Sequence, residues 1–285
     1  MFTNKIIAFI GSGAMGEAMI SGLLRKGVTN PEGIIASDML QERIDFLKQK
    51  YGVKGTTSNK SAVEKADVVV LAVKPQRFSS VEKEIHGHIP SEALVISIIA
   101  GLTMEKIIQG LNHSRVVRSM PNTPAQIGEG ITVWTAAESV SEEQREMTRQ
   151  ILRAFGDEVY IEEESYMDAA TALSGTGPAY VFLFMEAMVD AGVHLGFSRK
   201  TAEQLVVQTV RGSADYYYNY MKNGTPVHLA HLRNQVTSPG GTSAAALYYL
   251  EKDGFRTAIS RAIWAAYERS VELGQGKNVR HPESR

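Results

Sequence analysis

This sequence predicts an α/β architecture, a doubly wound parallel sheet followed by an all-α domain, on three observations. Short β-branched runs alternate with helical stretches through the first half of the chain. The first of those runs breaks into a glycine-rich turn that opens a helix. From Tyr166 onward the apolar spacing is helical throughout. At 285 residues the chain exceeds what most single cores organise, and the change of pattern divides it into 1–164 and 165–285.

Composition narrows the function classes. A 44% hydrophobic and 21% charged content is that of a globular protein, not a disordered one. A net charge of −1 offers nothing to nucleic acid or an anionic membrane, so neither is expected as a partner. Zero cysteines exclude disulfides, thiolate metal sites and a cysteine nucleophile, and fit a cytoplasmic location. The apolar run 6–10 is too short for a signal peptide, and no stretch approaches the ~20 apolar residues of a membrane span. No metal site is expected: His228 and His231 are three apart but have no carboxylate at metal spacing.

Each element has a local reason. Residues 5–10 form a strand, and Gly11-Ser12-Gly13-Ala14-Met15-Gly16 is a Gly-x-Gly-x-x-Gly turn placed between it and a helix. That context is the Rossmann-like dinucleotide fingerprint: a tight turn, a close backbone approach to pyrophosphate, and helix packed on strand. The helix Ala14–Arg25 closes at Lys26-Gly27. A second strand over 33–37 ends at Asp38, and the next helix runs over 41–50. Asp38 either accepts hydrogen bonds from the adenosine ribose, favouring NAD over NADP, or caps the following helix. Arg43 lies close enough in sequence to reach a phosphate, so NADP stays open beside NAD.

Strands follow over 66–73, 93–98 and 115–118, with a helix over 104–109. Ligands of such sheets sit beyond the carboxyl ends of the strands. There the sequence places Lys74-Pro75, Ala100-Gly101 and Pro121-Asn122-Thr123-Pro124. Residues 130–135 form another strand, Ser141-Glu142-Glu143-Gln144 a capping box opening a helix to Ala154, and 158–161 a last strand. Glu162-Glu163-Glu164 then reads as a solvated boundary.

The helical half carries two small-residue turns. Ser174-Gly175-Thr176-Gly177-Pro178 precedes a helix over 179–195, and Ser238-Pro239-Gly240-Gly241-Thr242-Ser243 precedes one reaching Glu251. Each reads as a helix start with free N–H groups, suited to a carboxylate. Ser198 caps a helix over 199–221, a final helix spans 255–273, and the polar tail 275–285 reads as frayed. Tyr218-x-x-x-Lys222 matches a dehydrogenase proton-donor motif, but inside an aromatic helix face it reads as packing.

The chain resembles the Δ1-pyrroline-5-carboxylate reductases. The likeness runs from Phe9-Ile10-Gly11-x-Gly13-x-Met15-Gly16 through Ala72-Val73-Lys74-Pro75 and Met120-Pro121-Asn122-Thr123-Pro124. It continues in Leu173-Ser174-Gly175-x-Gly177-Pro178-Ala179-Tyr180 and Ser238-Pro239-Gly240-Gly241. The resemblance implies cofactor contacts at Ile10, Gly11, Ser12, Gly13, Ala14, Met15, Gly16, Asp38, Asn59, Ala72, Val73, Lys74, Pro75, Ala100 and Asn122. It implies substrate contacts at Ser174, Gly175, Thr176, Ser238, Gly240, Gly241, Thr242 and Ser243, with Ser243 catalytic through the ring nitrogen. The substrate carboxylate would rest on the Gly241 and Thr242 amides and the Ser238 hydroxyl. The family has threonine at Ser243 and commonly an acid at Asn234, so this sequence departs at both.

The implied reaction is hydride transfer from NAD(P)H to the C=N of 1-pyrroline-5-carboxylate, giving proline. The implied assembly is a homodimer through the helical domain, gathered in some members into a decamer. Two alternatives stand beside this reading. A β-hydroxyacid dehydrogenase needs a lysine on the helix over 179–195, which has none. A non-catalytic dinucleotide sensor would not need the hydroxyls at Ser238 and Ser243.

Overall fold

The computed structural model describes residue 2 and residues 4–275, so the tail 276–285 lies outside the described residues. Two compact units divide the chain: 1–178 together with 265–285, and Ala179–Trp264. This division differs from the one at residue 164.

The first unit is built on eight strands in the order β3-β2-β1-β4-β5-β6-β7-β8. They are β1 Ile7–Ile10, β2 Ile34–Ser37, β3 Lys54–Thr56, β4 Val68–Leu71, β5 Leu94–Ser97, β6 Val116–Met120, β7 Gly130–Ala136 and β8 Gly156–Tyr160. Alternation sends side chains to both faces. Ile7, Phe9, Val68, Val70, Leu94 and Ile96 pack on one side. Ala8, Ile10, Val69, Leu71 and Val95 pack on the other. The first face is covered by α1 Ala14–Arg25, α2 Gln41–Tyr51 and α6 Glu142–Arg153. The second is covered by α3 Asn59–Val63, α4 Phe78–Ile85 and α5 Met104–Leu111. The capping box at Ser141 and Gln144 forms as the sequence predicts.

Two sequence expectations are corrected here, and one strand is added. The sheet is not wholly parallel: β7 runs antiparallel to β6, and β8 follows β7 in parallel. The connection from β6 holds only the 3₁₀ turn Thr123–Ile127, too short for the crossover that a parallel neighbour requires. Strand β3, with the sequence Lys-Gly-Thr, escapes the apolar pattern because it lies at the sheet edge. Glu164 is not a solvated boundary residue: it accepts Arg118 Nη1 at 2.8 Å and the Met104 N–H at 2.7 Å.

The largest correction concerns Ser174 to Pro178. Helix α7 Tyr166–Ala170, a π turn Thr171–Gly175 and helix α8 Gly177–His194 follow without a break. The result is a 29-residue helix, long and apolar enough by length and composition to cross a membrane. The sequence reading broke this segment at Gly175 and Pro178 and so found no such stretch.

The second unit comprises most of α8 with α9 Arg199–Lys222, α10 Leu229–Gln235, α11 Thr242–Lys252 and the first half of α12 Phe255–Gly274. Its buried cluster is small: Val189, Ala202 and Val206, flanked by Met185, Met188, Val193 and Val210.

Candidate active site

The fingerprint turn is set by backbone chemistry. Gly11 has φ +87°, and a Cβ there would fall 2.7 Å from Val73 Cγ1 and 2.9 Å from the Ala72 carbonyl oxygen. Only glycine meets both constraints. At Gly13 nothing lies within 4 Å of the Cβ position, so the backbone is open to a ligand. At Gly16 a Cβ would strike the Gly11 carbonyl oxygen at 2.7 Å, which brings α1 against the turn. Helix α1 starts at Ala14 with no side-chain cap from Gly13, leaving its first amides outward. An open glycine and uncapped amides, at the β1–β4 junction where the strand order reverses, fit a dinucleotide pyrophosphate.

Side chains brace this turn from β2 and α2. The Gly11 N–H and the Ser12 hydroxyl donate to the Ser37 carbonyl at 3.0 and 3.1 Å. Asp38 accepts the Ser12 N–H through Oδ2 and the Leu40 N–H through Oδ1, each at 3.1 Å. It holds the turn and the chain entering α2 but does not cap that helix, whose N-cap Leu40 has no side-chain bond. Arg43 Nε donates to the Ser12 carbonyl at 2.7 Å, and its guanidinium also pairs with Glu17. Glu17 further accepts Lys50 Nζ and the Tyr51 hydroxyl, each at 2.9 Å. Burial works against its charge, but the bonds from Lys50, Arg43 and Tyr51 prevail and lower its pKa to about 2. Arg43, expected near a phosphate, is thus engaged in bracing the turn, and Glu17, Lys50 and Tyr51 are the bracing residues that sequence reasoning missed. The basic residues of the Gln41–Tyr51 helix were the available signal.

The other expected cofactor residues fall into two groups. Ala72 donates to the Ile10 carbonyl at 2.8 Å, and Ala72 and Val73 wall Gly11. Lys74 is exposed and precedes the 3₁₀ turn that Pro75 opens. Ala100 lies in the loop after β5. Asn59 and Asn122, by contrast, are occupied structurally. Asn59 accepts the Ser37 hydroxyl and donates to Glu84, both at 2.8 Å. Asn122 accepts the Ile131 N–H at 3.0 Å and donates to the Ser174 carbonyl at 3.2 Å.

That last bond explains the π turn. Pro178 has no N–H, so the Ser174 carbonyl four residues earlier loses its helical donor. Asn122 supplies the replacement. The Ser174 and Thr176 hydroxyls donate to Ala170 and Thr171 carbonyls at 2.9 and 3.0 Å, and the Thr176 N–H bonds Thr171 at 2.8 Å. Ser174, Gly175 and Thr176 therefore do not form the uncapped helix start that the sequence predicts. Gly175 instead leaves room for Met120, whose Cε would lie 3.0 Å from a Cβ there.

The second turn does take the expected form. The Gly241 N–H donates to the Ser238 carbonyl at 3.0 Å, with Pro239 and Gly240 (φ +71°) between them. This is a type II turn, which demands glycine at Gly240. A Cβ on Gly241 would lie 2.5 Å from Ser238 Oγ, so glycine admits the Ser238 hydroxyl to the helix end. Gly241 caps α11 without a side chain, leaving the Thr242, Ser243 and Ala244 amides without an intrahelical acceptor. One correction follows: the Gly241 amide is spent on the turn and is not a carboxylate donor. Ser238 and Thr242 are exposed and Ser243 is half-buried.

Other candidates resolve as structure. His228 caps α10 through Nδ1, and His231 Nε2 lies 3.1 Å from Gln235. Among the described residues no group of three His, Cys, Asp or Glu could hold a metal ion. Tyr218 and Lys222 lie in α9, where Tyr216 and Tyr220 pack edge-on at 5.4 Å.

Residues 164–273 match the family model described as pyrroline-5-carboxylate reductase dimerisation. Residues 6–101 match the one described as NADP oxidoreductase, coenzyme F420-dependent. The chain is 40% identical over 269 residues to a pyrroline-5-carboxylate reductase of Synechocystis, spanning 94% of this chain and 98% of the relative. It is 41% identical to one of Pseudomonas aeruginosa, spanning 94% and 97%. The crystal structure of the Plasmodium falciparum enzyme with NADP bound superposes with a TM-score of 0.85 at 33% identity, covering 96% of this chain and 100% of that one. The chain belongs to the pyrroline-5-carboxylate reductase family.

Proposed function

We propose that the chain reduces Δ1-pyrroline-5-carboxylate to proline with NAD(P)H, the last step of proline biosynthesis. The observation that carries this reading is the Ser238–Ser243 collar. A hydroxyl is drawn over an uncapped helix start, beside a second hydroxyl on the first turn.

In this reading the Thr242 and Ser243 amides, with the Ser238 hydroxyl, hold the substrate carboxylate. The protonated ring N–H donates to the Ser243 hydroxyl oxygen, keeping the proton on nitrogen while the neighbouring carbon turns tetrahedral. The reduced nicotinamide supplies the hydride. The chain contributes position: Gly11 to Gly16 hold the pyrophosphate, Asp38 the ribose side, and Ala72 to Pro75 with Ala100 the path toward the ring. Ser174 and Thr176 supply no donor, since their hydroxyls are spent on their own helix. The functional division falls at 164/165, with a cofactor half and a substrate and dimerisation half. The chain works as a homodimer, with a decamer as its higher assembly, in the cytoplasm, where its lack of cysteine is at home.

Purified protein is expected to oxidise NADPH or NADH only when pyrroline-5-carboxylate is present, with proline accumulating one for one. Parallel runs with the two cofactors read the preference, and sizing reads the assembly. No turnover with either cofactor contradicts the reading.

A further inference from the structure

The end of α12 returns to the sheet unit, where it touches one loop with its bare backbone. A Cβ on Gly274 would fall 2.6 Å from the Gly101 carbonyl oxygen. A Cβ on Gly101 (φ +71°) would fall 3.0 Å from Leu273 Cβ and 3.1 Å from the Gly274 nitrogen. Two glycines thus let the segments meet with no side chain between them. Lys106 Nζ closes the contact by donating to the Gly274 carbonyl.

One turn earlier, buried Ser270 donates to Asp168 Oδ1 at 2.7 Å. The same oxygen accepts Arg118 Nη2 at 3.4 Å, and Arg118 Nη1 reaches Glu164 at 2.8 Å. Arg118 is 3% exposed, so leaving its guanidinium unpaired would be costly, while its partners Asp168 and Glu164 are half-buried. Glu164 then takes the Met104 N–H at 2.7 Å, at the start of α5. The loop between β5 and α5 is consequently held at Gly101 by α12 and at Met104 by Glu164. At its start, the Ile98 N–H donates to the Leu71 carbonyl at 3.0 Å, next to the Ala72-Val73 wall of Gly11.

We propose that the last turn of α12 is a positioning element for the cofactor: Gly274 and Ser270 hold the 98–103 loop in the shape that receives NAD(P)H. It rests on the proposed cofactor site, with Ala100 lining it. Residues remote in sequence from the fingerprint thereby set dinucleotide affinity.

The test is Gly274→Ala in the full chain, read by NADPH fluorescence titration, which needs no substrate. The added methyl meets the Gly101 carbonyl oxygen at 2.6 Å, so a purely structural role predicts lower stability with unchanged NADPH affinity in the folded protein. The proposal predicts an NADPH Kd and KM raised about tenfold, with the KM for pyrroline-5-carboxylate and the oligomer size unchanged. Ser270→Ala removes one hydrogen bond without adding bulk and should raise the Kd about threefold. It decides alone if Gly274→Ala fails to fold. Wild-type NADPH affinity in correctly assembled variants overturns the proposal. A wild-type protein that binds NADPH yet does not reduce pyrroline-5-carboxylate sinks the reductase reading and leaves this one standing.

Discussion

The two units of this chain bury their apolar residues to very different degrees. In the sheet unit every residue of β1, β4 and β5 is fully buried, and helices cover both faces. In the helical unit the buried cluster is Val189, Ala202 and Val206, while Phe182, Leu183 and Trp264 are each more than 60% exposed. A helical unit of this kind has too little core to hold itself, and its apolar surface has the character of an interface waiting for its counterpart. The family model for dimerisation covers this part of the chain. The sheet unit carries the fingerprint turn and its own core; the helical unit carries the surface that the dimerisation model matches.

The largest effect should come from charging the helical surface. Phe182→Asp with Leu183→Asp places two carboxylates on α8, where dimerisation would have to desolvate them. The expected result is a monomer by sedimentation with no measurable turnover, yet one that still binds NADPH. A fully active dimer would break the comparison. Next comes Gly11→Ala, which combines a φ of +87° with a Cβ 2.7 Å from Val73. Strain of roughly 1–3 kcal/mol, plus the clash, should weaken NADPH binding at least tenfold while the dimer persists. Wild-type NADPH affinity would show that the turn tolerates a side chain.

The smallest effect is a pH dependence of the sheet unit. Burial, and then Arg115, lower the pKa of His113 below its usual 6.5, against a bond to the Ala93 carbonyl that raises it. The folded state therefore binds a proton at His113 less readily than the unfolded chain does. This contribution to stability is complete above about pH 6.5 and is lost as pH falls toward the folded value. His113→Gln keeps a donor for Ala93 and should flatten that acid limb in denaturant titrations. An unchanged slope would assign it to other groups.

Local rules made much of this legible. The fingerprint, the capping box at Ser141 and the Ser238–Gly241 turn each depend on residues within a few positions of one another, and all three form. What sequence reading missed is set by distant partners. Ser174 to Pro178 looks like a helix start because proline suits a first turn. It becomes the middle of a helix because Asn122, 52 residues away, accommodates the carbonyl that Pro178 abandons. Strand direction in β7 follows from connection length, not from its apolar pattern. Glu164 reads as solvated until Arg118, 46 residues earlier, is folded beside it. The Gly241 amide, assigned to substrate from the motif, is consumed by the turn that the same motif builds.

The central claim is that the Ser238–Ser243 collar presents the imine and that Ser243 attends its nitrogen. The most direct measurement is the kcat/KM of Ser243→Ala for pyrroline-5-carboxylate, beside its NADPH Kd. Loss of one transition-state hydrogen bond should cost ~1–3 kcal/mol, or roughly tenfold to a hundredfold in kcat/KM. The NADPH Kd should stay at the wild-type value. An unchanged kcat/KM would remove Ser243 from the reaction and contradict the account.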